Sequence, residues 1–470
     1  MKKHFLSLLS ICLILAIIIT ACKKETPAEP SSNPTPDPDL SFIPPSGQRQ
    51  GDAATGYDYL INGDYISSGI PYNLFKMAFG NSPNLLNRTG DNASIAYNFN
   101  AVIAPNGVKI VAPNCLNCHA QEINGQLIVG LGNSLADYTT DQSTSIPTLD
   151  AGIQFTYGIP SPEYTAYEPF RKGTLAYGPY VLTDKKGVNP ANKLTAILAS
   201  HRNKESLVWS DTPLLNIPSG TTPTDVPAWW LLKKKNAMFY TAIGRGDFAR
   251  IMMASSLLTM KDSAEARTID NKFKDVLAYL FSIQPPVYPK TINQALAENG
   301  KTIFINNCQR CHGTYGSSSS YPNYLVDQKY VGTDPLLATD YSSINDFADS
   351  FNNSWFAMGP YAASFHTTTG YVAPPLDGVW ATAPYLHNGS VPDLEVLLNS
   401  PERPTYWKRT FVSTDYDFDK VGWKYTEMNS GAGKDVYDSA LPGYGNKGHT
   451  FGDFLSDTER TALIEYLKTL

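Results

Sequence analysis

Cysteine is scarce in this 470-residue chain, and none is left over for a disulfide. Of the six cysteines, Cys12 falls in an N-terminal leader, Cys22 directly follows it, and the other four stand as two close pairs, Cys115/Cys118 and Cys308/Cys311. A small disulfide-stapled domain is therefore excluded. An excess of basic charge is also lacking. With 37 Lys and Arg against 43 Asp and Glu the net charge is −6, which gives no footing for nucleic acid. After the leader no apolar run approaches the ~20 residues that cross a bilayer. Long unbroken helical stretches are few, because 34 Gly and 34 Pro interrupt them, while 28 Tyr supply aromatic packing for loops.

What is present begins with the leader. Lys2 and Lys3 precede an apolar run from Phe5 to Ile19 that ends in Ile19-Thr20-Ala21-Cys22, the pattern of a signal peptide over residues 1–21. The cysteine after two small residues resembles a bacterial lipobox, so Cys22 is the expected lipidation site. That places the mature chain on a bacterial membrane, periplasmic side or cell surface, through a lipid anchor. Residues 22–50 are rich in Pro, Ser and Glu, bury little apolar area and read as a tether.

The two cysteine pairs each run directly into a histidine: Cys115-Leu116-Asn117-Cys118-His119 and Cys308-Gln309-Arg310-Cys311-His312. Covalent haem attachment needs two thiols to add across the vinyl groups and an imidazole immediately after, placed to reach the iron. One such pentapeptide is also compatible with a redox dithiol or part of a zinc site. Two copies that use every spare cysteine of an exported chain point to two covalently bound haem c groups, with His119 and His312 as proximal iron ligands.

The second motif has a helical setting. Ile292 to Asn307 reads as a helix in which Gly300, Phe304 and Cys308 recur every four residues, on one face. Ser456-Asp457-Thr458-Glu459 is a capping box, and Leu463, Tyr466, Leu467 and Leu470 follow at helical spacing. The first motif differs, because Val108 to Ala112 looks extended and Pro113 bars an ordinary helix from delivering Cys115. Gly125, Gly130 and Gly132 after it are candidates for close backbone approach to a porphyrin, or for a tight turn. Pro285-Pro286 ends a helical stripe of Phe273, Val276, Leu277, Leu280 and Phe281, and the domain boundary falls near residue 288. The expected fold is mainly α with extensive loops: a divergent haem c domain over 51–288 and a cytochrome c domain over 289–470.

The segment Ala373-Pro374-Pro375-Leu376-Asp377-Gly378 to Pro384-Tyr385-Leu386-His387-Asn388-Gly389-Ser390 resembles a signature of the bacterial dihaem cytochrome c peroxidase superfamily, most like its dihaem rubber oxygenase branch. Cys311-His312-Gly313-Thr314-Tyr315-Gly316, Val331 to Pro335 and Pro227-Ala228-Trp229-Trp230 extend the likeness, which covers most of residues 100–470. The resemblance implies two irons of different role, one meeting the oxidant and one exchanging electrons. It also implies that the distal ligand of the second haem comes from the region of His449. His387, in the signature, is then expected near that haem, hydrogen-bonded to a propionate or ligating. Peroxidases of this kind place a Met some fourteen residues after the signature His, where this chain has Pro401; Met358 is the other candidate. A calcium ion bridging the domains is open, though no motif specifies one.

No sixth ligand is evident for the first haem, and His201 and His366 are read as ordinary structural histidines. Trp229, Trp230, Phe239 and Tyr240 are candidate walls of its distal pocket, with core packing as the plainer alternative. Arg245 and Lys233 to Lys235 are candidate propionate partners or a solvated basic face. The expected function is a dihaem oxidoreductase that reduces hydrogen peroxide or activates dioxygen at the His119 haem, while the His312 haem passes electrons from a cytochrome, cupredoxin or quinol-linked donor. Oxidative cleavage of an unsaturated substrate is its narrower form. The competing expectation is a membrane-tethered electron-transfer cytochrome without catalysis.

Overall fold

Two pairs of helices carry the architecture. Helix α1 (Ala53–Asn62) starts where the Asp52 side chain accepts the Thr55 N–H, and α2 (Ser263–Ser282) where Asp262 accepts those of Ala264 and Glu265. Later in the chain, Asn293 caps α3 (Gln294–Asn307), and the expected box of Ser456 and Glu459 caps α4 (Asp457–Leu467). Each pair packs at a glycine. A Cβ on Gly56 would fall closer than 3.0 Å to the Asp275 carbonyl of α2, and one on Gly300 equally close to the Ala462 carbonyl of α4. The backbones therefore meet with no side chain between them.

This computed structural model describes residues 39–470 apart from 218 and 340, and Ser41–Leu470 make up one unit. The expected signal peptide, Cys22 and most of the tether lie outside the described residues. Among those described, no helix is long and apolar enough to cross a membrane.

The mainly α expectation does not hold: 38% of the structure is helical and 14% is strand, and among the described residues the strands form six small sheets. A three-stranded sheet joins β1 (Ile70–Pro71), β3 (Lys109–Pro113) and β2 (Phe99–Ile103), all antiparallel, with Ala101 opposite Val111. A hairpin of β4 (Ala120–Ile123) and β5 (Gln126–Val129) follows the first motif. Further on, β6 (Gly244–Gly246) pairs with β8 (Ala363–Phe365), and β7 (Tyr324–Asp327) with β9 (Gly370–Val372). Strands of two to five residues, cut by Gly and Pro, leave almost no alternation to read. Some, such as β6 and β8, also pair with partners distant in sequence, so they look like loop until paired.

Two large cores result. One gathers Leu60, Phe273, Val276 and Leu277 with Phe248 and Met253, and takes in Phe351 and Phe365. The other gathers Phe304, Leu463, Trp380 and Trp423, and takes in Ile123, Leu131 and Trp230. Each draws side chains from both sides of residue 288.

Candidate functional site

Helix α3 ends with the Cys308 N–H bonded to the Phe304 carbonyl at 2.8 Å, and one further helical turn, Gln309–His312, follows. In that turn the amides of Cys311 and His312 both bond to the Cys308 carbonyl, at 3.2 and 3.1 Å. Cysteines three residues apart thus share a face with the imidazole beside them. The His312 ring donates Nδ1–H to the Pro374 carbonyl at 2.8 Å, which leaves Nε2 as the lone-pair nitrogen. Burial holds its pKa below the ordinary value.

Cys308, Cys311 and His312 line a cavity of about 420 Å³, mostly walled by apolar side chains such as Leu231, Phe304, Val379, Leu394 and Leu463. His449 lines it too, with its ring centroid 6.2 Å from that of His312 and the planes at 66°. Two imidazoles that ligate one ion from opposite sides, at a metal–nitrogen distance of about 2 Å, place their centroids roughly 6 Å apart. Burial, with the nearby His312 and Arg403, pushes the His449 pKa down to about 3, so its ring is neutral, as a metal ligand must be. The residues present fit a haem attached at Cys308 and Cys311.

His387 lies on another wall of this cavity. Its ring stacks on Tyr371 at 4.2 Å, and Nε2 is 3.2 Å from the Tyr371 hydroxyl, which itself donates to the Asp334 carbonyl at 2.6 Å. Tyr240 is here as well, donating to the Asp225 carboxylate at 2.6 Å. Burial raises the Asp225 pKa to about 7 and lowers that of Lys235, also on the wall, to about 8. Polar groups thus stand among the apolar side chains that line this space.

At the first motif a single turn, Leu116–His119, also brings the His119 amide onto the Cys115 carbonyl, at 3.1 Å. The Tyr65 hydroxyl accepts the Cys115 N–H at 3.2 Å, and burial raises the Cys115 thiol pKa to about 11. Cys118 Sγ lies 3.2 Å from the Tyr138 hydroxyl and 3.4 Å from Asn189 Nδ2. His119 is a buried neutral imidazole, its pKa lowered to about 3 by burial alone, and its Nδ1 has no hydrogen-bond partner among the described residues. A buried neutral imidazole directly after two free thiols fits a haem here too. Trp229 packs on the face of the His119 ring, stacked at 4.4 Å and 19°.

The four aromatics expected around His119 therefore do not gather there. Of the four, Trp229 is the one in ring contact with His119 among the described residues. Trp230 is in the second core and donates its indole N–H to the Asp377 carbonyl at 2.8 Å; Tyr240 lines the His312 cavity; Phe239 stacks on Phe365 at 6.0 Å. Gly130 and Gly132 make room for protein rather than porphyrin. The Trp229 N–H bonds to the Gly130 carbonyl at 2.8 Å, and a Cβ on Gly132 would overlap the Val226 carbonyl.

Met358 is half exposed, and His366 is exposed and bonded to Ser364. His201 stacks on Trp209 and bonds to the Ser210 carbonyl. Lys234 pairs with Asp377 at 2.7 Å, and Arg245 bonds to the Ala242 carbonyl. Among the described residues no group of three or more His, Cys, Asp or Glu is placed to hold a bare metal ion such as calcium. Sequence reasoning missed Asp225, Tyr371 and the role of Pro374, which acts through a carbonyl that every residue type carries.

Residues 370–408 match the family model described as RoxA-like, cytochrome c-like. The match includes Tyr371, Pro374 and His387, so the wall that orients His312 belongs to a cytochrome c-like domain, and such a domain implies haem c. Two proteins of Sinorhizobium fredii (strain NBRC 101917 / NGR234) are similar to this chain. The uncharacterized protein y4iJ is 30% identical over 253 residues, 40% of this chain and 41% of that protein. The uncharacterized protein y4iM is 27% identical over 319 residues, 57% of this chain and 69% of that protein. The chain thus spans about two fifths of the length of y4iJ.

Proposed function

We propose that this is an exported c-type oxidoreductase with two covalently attached haems, one at Cys115/Cys118/His119 and one at Cys308/Cys311/His312. Hydrogen peroxide or dioxygen meets the first, and the second passes electrons to it. The observation that carries the reading is the inequality of the two sites: His312 shares its cavity with a second buried imidazole, His449, whereas the ring contact of His119 among the described residues is with Trp229, stacked on its face. Haem c, when bound, supplies a redox-active iron; a sixth protein ligand favours electron transfer and its absence leaves room for an oxidant.

The chain's own residues set up that division. Pro374 fixes the tautomer of His312, and the apolar wall from Leu231 to Leu463 keeps water from the space between His312 and His449. Trp229 lies on His119 and the next residue, Trp230, packs in the core that surrounds the other site. These consecutive indoles run from one motif towards the other, and we assign them the relay. A small redox protein or a quinol-linked carrier is the electron source in this reading, and acylated Cys22 the tether that brings the chain to the membrane where such carriers work.

The test is turnover by holoprotein with a reduced artificial donor, following donor oxidation on addition of hydrogen peroxide and of dioxygen in separate runs. Oxidation with one of the two supports catalysis. Donor oxidation with neither, by a protein shown to carry haem at both motifs, leaves an electron carrier in its place.

A further inference from the structure

Histidine ligands are usually aimed by a hydrogen bond from the ring nitrogen that does not bind the metal. His312 follows this rule through Pro374. His449 does not, because its Nδ1 is buried and has no hydrogen-bond partner among the described residues. Something other than its own ring must hold it.

The candidate is Arg403, a guanidinium only 9% exposed. All five of its N–H groups reach backbone carbonyls. Nε donates to Val396 at 3.2 Å and Nη2 to Leu397 at 2.7 Å, both in the one-turn helix Leu394–Leu397. On the other edge Nη1 donates to Asn446 at 2.7 Å and Gly448 at 2.6 Å, and Nη2 to His449 itself at 3.0 Å. A planar fork with five donors matches five carbonyls, and no carboxylate is among its hydrogen-bond partners. The same loop is pinned from behind. The His449 N–H bonds to the Val331 carbonyl at 2.7 Å, and Gly448 lies so close to Gly332 that a Cβ there would overlap it. His449 sits in the left-handed region at φ +46°, where a non-glycine residue stays only if its surroundings hold it.

We infer that Arg403 is the positioning residue for the second haem's distal ligand: its fork, rather than its charge, holds the 446–449 backbone against the 394–397 turn and so aims His449 at His312. This rests on the proposed ligation by His449. A lysine keeps the charge, but its single ammonium cannot span both edges.

The test compares wild-type, Arg403→Lys and His449→Ala holoproteins by spin state, by titration with exogenous imidazole and by amide hydrogen exchange over residues 446–451. Arg403→Lys is expected to bind imidazole at the second haem at least about tenfold more tightly than wild type, equivalent to about 1.4 kcal/mol, with faster exchange in the loop and other segments unchanged. Wild-type behaviour of Arg403→Lys, while His449→Ala turns high-spin, overturns the positioning role and leaves the ligation standing. An unchanged spectrum in His449→Ala overturns the ligation beneath it. Should Arg403→Lys not accumulate, Arg403→Gln, with a planar amide and two donors, is read by the same criteria.

Discussion

At the scale of single residues, burial without a counter-charge governs the chemistry. His387 is 5% exposed and stacked on Tyr371, and its pKa is depressed to about 3 by burial alone. The folded protein therefore refuses a proton that the unfolded chain accepts at an ordinary histidine pKa of about 6.5. Stability tied to this group is intact above that value and is lost as pH falls towards 3, by about 1.4 kcal/mol per pH unit. His387→Gln, which keeps a donor for the Tyr371 hydroxyl, is expected to flatten the fall in denaturant midpoint between pH 6.5 and 4; an unchanged slope contradicts this. The attachment cysteines and their histidines were legible because haem attachment is a local pattern. His449 came only from a resemblance, and Asp225 and Tyr371 had no signal, since the fold alone brings them to the cavity.

Among elements, the two helix pairs show what was readable and what was not. Gly300, Phe304 and Cys308 lie on one continuous helix that runs into its motif, so the α3/α4 packing could be anticipated. In the matching pair the α2 stripe from Phe273 to Phe281 was readable, but its partner α1 was missed because α1 ends at Asn62, far ahead of Cys115, and the β2/β3 strands intervene. The mark of α1 was Gly56, one glycine among 34. Strands such as β6 and β8 were illegible for the same reason, being three residues each and made by long-range pairing. Gly56→Ala and Gly300→Ala are each expected to destabilise by about 3 kcal/mol, because backbone must move to admit the methyl group. Gly152→Ala, in the helix Ile146–Tyr157 with open space around it, is expected to stabilise by about 0.5–1 kcal/mol. Chemical denaturation reads all three, and equal effects at the packed and open positions contradict the assignment.

For the whole molecule, the notable arrangement is that the two cores interleave across residue 288, with Trp229 in one and Trp230 in the other. A segment of two residues thus links His119 to the core around the other motif, and the hairpin after the first motif helps build that core. In the proposed reading such a framework would hold two unlike centres, an arrangement that suits directed electron flow better than two independent carriers. The central claim is that the centres are unlike. Low-temperature electron paramagnetic resonance of the oxidised holoprotein, with haem counted per chain, tests it most directly. The expected result is two haems per chain, one high-spin and one low-spin, with only the low-spin signal lost in His449→Ala. Two low-spin signals, or a single haem per chain, contradict it.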